Sequence, residues 1–121
     1  LSRNDEASAQ AGVVQAVRAV APDVIIFSIP NGLWTTKRQA SLARWTGLLA
    51  GAPDLALVLP DGRVAWWECK RPKGGILSLA QRDLHIRFAH LGHPVAIIRS
   101  IDDALDELRR LGVRTREVAL G

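Results

Sequence analysis

The sequence predicts an α/β domain, a small mixed β-sheet flanked by helices. Three observations carry the prediction. Stretches with helical apolar spacing alternate with short β-branched runs, in the order helix, strand, helix, hairpin, helix, strand, helix. Residues 51–70 hold two apolar runs joined by a tight turn at Asp61-Gly62, the signature of a hairpin. From 63 to 99 the pattern is strand, helix, strand, which predicts parallel pairing of those two strands through a crossover.

The first helix is expected over 5–20, where Ala7, Ala11, Val14, Val17 and Ala21 recur at three- and four-residue steps. Ser2 or Asn4 is placed to cap it, and Asp5 and Glu6 complement its dipole. Pro22-Asp23 ends it. The run 24–29 is the first strand, stopped by Pro30-Asn31-Gly32, with Asn31 read as a turn residue. Thr35 or Thr36 opens a second helix to about residue 49, with Leu42, Trp45, Leu48 and Leu49 as its apolar stripe. On it Lys37 and Arg38, with the neighbouring Trp34, are candidates to meet the phosphates and bases or sugars of a nucleic acid.

The hairpin is the most informative stretch. With Pro60–Gly62 as the loop, Leu59 faces Arg63, and counting back along both strands brings Asp54 opposite Glu68. Lys70, two residues on, shares their face. The other face then carries Leu55, Leu57, Leu59, Ala65, Trp67 and Cys69, apolar throughout. A loop one residue shorter would send Glu68 to the side away from Asp54. Two carboxylates and an ammonium converging at a sheet edge make a site for a divalent cation, and oxygen ligands from Asp54 and Glu68 suit Mg2+ or Mn2+. Lys70 would orient or help deprotonate a water, or balance phosphate charge. A structural salt bridge is the alternative reading of the same three residues.

After Lys70, Arg71 and Lys73 lie in a Gly-rich loop beside the proposed cation and are candidates to clamp a phosphate backbone. Ser78 caps a helix over 79–91 with Leu84, Phe88 and Leu91 as its buried side. Gln81 stands at the capping-box position. His85, His90 and His93 lack zinc-ligand spacing apart from a loose His90-x-x-His93, and read as surface or helix-end residues. The run 95–99 is a buried strand. Ser100 caps a last helix with Asp102 and Asp103 in its first turn and Ile101, Ala104, Leu105, Leu108 and Leu111 as its stripe. Residues 113–120 form a short edge strand or a tail.

The 121 residues fit one domain, 1–121, long enough for a real core. Hydrophobic residues at 48% and charged residues at 23% place the chain among ordinary globular proteins. No apolar run approaches the length needed to cross a bilayer, so no membrane partner is expected. Cys69 is the lone cysteine, which rules out an intrachain disulfide and fits a cytoplasmic setting. The net charge of +4 is compatible with a polyanionic partner.

The motifs Gly51-Ala52-Pro53-Asp54-Leu55, Glu68-Cys69-Lys70 and Gly75-Ile76-Leu77-Ser78-Leu79-Ala80-Gln81 resemble the VRR-NUC family of the PD-(D/E)xK nuclease superfamily. The likeness runs from about Glu6 to about Leu108 and is to the small stand-alone, virus-type members. The resemblance implies a restriction-endonuclease-like core. It implies an acid on the first helix facing the metal as an outer ligand, best matched by Glu6. It also implies the Cys69 carbonyl as a further ligand, a loop at Asn31 near the substrate groove, and a catalytic-groove role for Gln81. The expected activity is metal-dependent cleavage of DNA, on branched substrates such as four-way junctions. A homodimer would place two sites on opposite strands. A non-catalytic nucleic-acid-binding domain and a sequence-specific restriction-type enzyme are the alternatives.

Overall fold

The computed structural model describes residues 2–30 and 36–118. Its elements are α1 (Ser2–Val20), β1 (Ile25–Ser28), α2 (Lys37–Trp45), β2 (Leu55–Val58), β3 (Val64–Cys69), α3 (Leu79–His90), β4 (Val95–Ile98) and α4 (Ile101–Arg110). The four strands form one mixed sheet in the order β1-β2-β3-β4. β1–β2 and β2–β3 pair antiparallel, whereas β3–β4 pair parallel with α3 as the crossover. This is the α/β architecture predicted above. Among the described residues no helix is long and apolar enough to cross a membrane.

The hairpin register follows from its turn. Leu59 N donates to Arg63 O at 2.9 Å and Gly62 N to Leu59 O at 2.9 Å, closing a three-residue loop. Gly62 sits at φ +93°, where a side chain would be strained. The Asp61 carboxylate accepts from Arg63 N at 3.0 Å and Arg63 Nε at 2.7 Å. Leu55 therefore faces Trp67, and Leu57 faces Ala65. Odd positions share one face and even positions the other.

The odd face is the core side. Leu55, Leu57, Leu59, Ala65 and Trp67 join Ile26 and Ile98 from the outer strands, Val13, Val17 and Val20 of α1, Ala104 and Leu108 of α4, and Leu111 at the cap that follows it. Burial of this contiguous apolar set is the main stabilising term of the fold. On the even face Phe88 of α3 stacks on Trp66, ring centroids 4.7 Å apart. Trp66 Nε1 donates to His93 Nδ1 at 2.8 Å, so His93 is a half-buried partner of the indole rather than a free surface residue.

Several expectations change. α1 runs from Ser2, and the side chains of the two cap candidates, Ser2 and Asn4, lie outside those described. Its buried face is Val13, Ala16, Val17 and Val20, while Ala7 and Ala11 are exposed. The reason is length. A helix of 19 residues spans about 28 Å, against about 13 Å for a strand of 4 residues. The N-terminal half of α1 thus overhangs the sheet.

α2 is capped by Thr36 but stops at Trp45, because the chain takes φ +119° at Gly47 and Leu48 N turns back to Ala43 O. Its expected stripe is not buried: Leu42 is 57% exposed and Trp45 85%. Among the described residues α2 lies against no other helix or strand. Leu91 caps α3 at its C-terminus and is exposed. Residues 113–118 form no strand. Instead Arg116 straps the end of α1, its backbone N donating to Val20 O and its Nε to Ala19 O, both at 2.8 Å.

Candidate functional site

The site is built where β2 starts and β3 ends. Ile29 N donates to Asp54 O at 2.9 Å, so the Asp54 backbone is turned toward β1. On β3, Trp66 N donates to Pro94 O at 2.9 Å and Lys70 N to Ile98 O at 3.0 Å, so even-numbered backbones are turned toward β4. Asp54 and Glu68 thus form a non-hydrogen-bonded pair across the two strands, the kind whose side chains approach most closely. Their carboxyl groups lie on the same face, close enough for Asp54 to hinder ionisation of Glu68. Glu68 is 2% exposed, the one buried charged residue among those described. Burial, with Asp54 adding to it, pushes its carboxyl up to about 9.

Asp54 Oδ2 accepts from Cys69 N at 2.7 Å. A strand residue turns its N–H and C=O to the same side, so the Cys69 carbonyl also faces the Asp54 side. The Cys69 thiol is pushed up to about 12, chiefly by burial, and stays protonated. Whatever Cys69 supplies, it supplies from the backbone.

Lys70 lies beside Glu68, where its ammonium draws the carboxyl down against the stronger effect of burial. The loop after it is folded back on its stem. Gly75, at φ +60°, passes so close that an added Cβ would stand 3.3 Å from Lys70 Cβ. Arg99 fixes this loop, donating to Arg71 O at 2.8 Å, Gly74 O at 2.8 Å and Gly75 O at 3.2 Å. Three carbonyls on one guanidinium make a rigid clamp. An Arg99→Leu variant is expected to keep its fold but free the loop that carries Arg71 and Lys73. Limited trypsin digestion should then cut after Lys73 about tenfold faster than in the parent.

Glu6 reaches the same edge from α1. Its Oε1 stands 3.7 Å from Arg71 Nε, with both side chains about half exposed. Such a pair contributes less than about 1 kcal/mol, but it holds Glu6 at the mouth, within electrostatic reach of Glu68. Glu6, Cys69 and Lys70 line one pocket, and Asp54 lines a neighbouring groove with Ser28 and Pro30.

Gly51 explains why the acid-bearing segment sits where it does. Its φ is +83°, and an added Cβ would lie 2.6 Å from the Ala80 carbonyl and 2.8 Å from Gln81 N. The backbone of 51–54 is pressed onto the first turn of α3. Gly51→Ala combines a backbone clash with left-handed strain. It should cost about 3 kcal/mol, seen as a melting point lowered by roughly 10 °C in calorimetry.

Gln81 is committed to the cap of α3. Its Oε1 accepts from Ser78 N at 2.9 Å, and its N donates to Ser78 Oγ at 3.1 Å. The structure thus gathers Asp54, Glu68, Cys69, Lys70, Glu6 and Arg71, with Lys73 exposed on the adjoining loop. Lys37 and Arg38 stand exposed on α2 and are not brought to the acids by any packing of that helix. Asn31 and Trp34 lie outside the described residues.

His85 is the residue that sequence reasoning missed. It is not a surface residue: its side chain is 13% exposed, and its Nε2 stands 3.7 Å from Glu68 Oε1. Burial, then the Lys70 ammonium, lowers its basicity and favours the neutral ring. The available signal was the helical step from Phe88. Phe88 covers Trp66, so the residue three positions earlier lies over the next even position of β3, Glu68.

Among the described residues no group of three or more His, Cys, Asp or Glu side chains is placed to hold a metal ion. The donor chemistry nevertheless fits a dication with open coordination positions. Two carboxyls share a proton-bearing, water-poor place, and Glu68 Oε1 is buried without a hydrogen-bond partner. A divalent cation would satisfy that oxygen and displace the proton.

No family model and no curated protein matches the chain. Two solved structures share its fold. One, described as "VRR_NUC domain", superposes with a TM-score of 0.62 at 22% identity, over 87% of this chain and 94% of that one. The other, described as "VRR_NUC domain protein", gives 0.70 at 18% identity, over 87% and 85% of the two chains.

Proposed function

We propose, from the fold shared with those domains and the site just described, that this chain is a VRR-NUC-type nuclease. It hydrolyses DNA phosphodiester bonds with a divalent cation, cutting branched DNA such as four-way junctions as a homodimer. The observation that carries the reading is the placement of Asp54, Glu68 and Lys70 on one face at the joined ends of β2 and β3. A protonated, buried Glu68 beside a second carboxylate has little structural use but suits a cation ligand.

Asp54, Glu68 and the Cys69 carbonyl would hold Mg2+ or Mn2+, with Glu6 as an outer acid across the mouth. When bound, the ion supplies positive charge to the phosphoryl oxygens and the leaving group. Lys70 orients the attacking water and offsets the charge that grows on phosphate in the transition state. Arg71 and Lys73, on the loop that Arg99 braces, hold the backbone of the cut strand. Lys37 and Arg38 add phosphate contacts from α2, and Gln81 borders the groove at the start of α3.

The test is incubation with labelled linear duplex, flap and four-way junction, in Mg2+, Mn2+ or chelator. Paired nicks across the junction, absent in chelator, are the expected result. No cleavage of any of the three in either ion would overturn the reading.

A further inference from the structure

We propose that the cavity between α1 and the start of α4 takes one unpaired nucleobase from the strand being cut. Housing that base turns the nuclease toward DNA with free nucleotides at a branch. The inference deepens the nuclease reading and rests on it.

The cavity holds about 210 Å3 and opens at the edge where β3 and β4 end. Its depth is Val13 of α1 and Ile98 of β4, 4% and 2% exposed. Ala9 and Ile101 flank them, and Glu6 and Lys70 stand at the rim. The rim is therefore shared with the edge that carries the proposed chemistry. Arg71, 3.7 Å from Glu6, brings the basic loop to the same place. A strand held by that loop passes the opening.

The walls select the guest. They are mostly apolar, and a phosphate buried among them would lose its hydration without repayment. A base suits them, because its faces are flat and weakly polar while its polar edge can stay toward Glu6, Lys70 and water. An apolar cavity of about 150 Å3 admits a benzene ring, so this one has room for a pyrimidine. A paired base must first leave its stack, at a cost that is least where it is already free. Aliphatic walls offer no donor and acceptor pattern, so entry depends on the base being free and not on which base it is.

Gly12 is an independent sign that the space is kept. It lines the cavity from inside α1, where its backbone is helical and Ala would be the more stable choice. No close packing requires the glycine. An added Cβ would meet Ile101 Cδ1 at 3.8 Å, an ordinary contact, and no atom nearer. The helix forgoes stability at this position, and the missing side chain leaves cavity in return.

The test is binding of the full chain, in chelator, to a series of labelled four-way junctions read by anisotropy. Each carries one unpaired thymidine at a successive position beside the branch, and each has a twin with an abasic residue there. At one position the parent should bind the thymidine form about tenfold tighter than its twin. Gly12→Leu, which fills the cavity from α1, should bind both alike, at the parental affinity for the abasic form. Ile101→Trp, which fills it from α4, should do the same. Gly12→Ala should melt about 4 °C above the parent.

Parental affinities equal for every pair overturn the proposal, as does a preference that survives in both filled variants. A lower melting point in Gly12→Ala would make Gly12 a packing residue and count against it too. If neither filled variant folds, the parental comparison decides alone. Junctions cut in Mg2+ or Mn2+ without any preference for the base sink only the present proposal. A preference without cleavage in either ion sinks the nuclease reading, and this inference with it.

Discussion

Exchanging Glu68 for Gln should yield a protein that melts higher without divalent cation and no longer cuts DNA. In the native chain the carboxyl is buried, 2% exposed, and keeps its proton up to about pH 9. In the unfolded chain it releases that proton near its ordinary value of 4.5. Between those two values the native state binds more protons than the unfolded one, so stability falls as pH rises. The contribution is whole below about pH 4.5 and drains away on the climb toward 9. Gln is neutral throughout, and its amide offers a donor to the neighbouring Asp54 carboxylate.

The variant should therefore lack this slope and melt about 5 °C higher near pH 8. Thermal scans in chelator across pH 5 to 9 would check it. Adding Mn2+ at pH 8 should raise the melting point of the parent and leave the variant unmoved. Cleavage should drop by about a thousandfold or more, because the amide cannot replace a charged ligand. A parent curve flat in pH, together with a less stable Glu68→Gln, would contradict this account.

The second large effect is expected at Lys70. Lys70→Met should lose about a hundredfold to ten-thousandfold in single-turnover cleavage while keeping its affinity for a junction. Met retains the aliphatic stem on which the loop rests at Gly75, so the fold and the basic loop survive. The lost ammonium acts twice. It no longer steadies water and phosphate, and it no longer draws Glu68 down, so the carboxyl holds its proton to still higher pH. Cation binding in the variant should accordingly shift to higher pH. Anisotropy with labelled junction, beside quenched-flow cleavage, separates the two effects. A variant that cuts at the parental rate would remove Lys70 from the chemistry.

The part of the site lying within the hairpin was legible in the sequence. Asp61-Gly62 fixed the turn, the turn fixed the register, and alternation then placed Asp54, Glu68 and Lys70 together. Each step is local, so pattern sufficed. The extent of α2 was not legible, because Leu42, Trp45 and Leu49 make a convincing stripe whether or not anything covers them. The shift of the α1 face arose from the mismatch between a long helix and short strands, which single-element periodicity does not see. His85 was missed because its role comes from the seating of α3 on β3. Spacing among histidines says nothing about a helix-to-strand distance. Gln81 had two readings from the start, and the observed capping box accounts for its oxygen.

The bond from the Cys69 amide to the Asp54 carboxylate, 2.7 Å long, does work of a different kind. It acts as a rivet where the two strands part, standing in for the rung that a longer β2 would have provided. Asn can keep the rivet through its amide oxygen; Ala leaves the amide dry and lets the strand ends splay. An Ala at 54 would thus mix a frayed scaffold with a chemical defect. Anyone wanting an inert decoy for trapping a DNA complex is better served by changing residue 70.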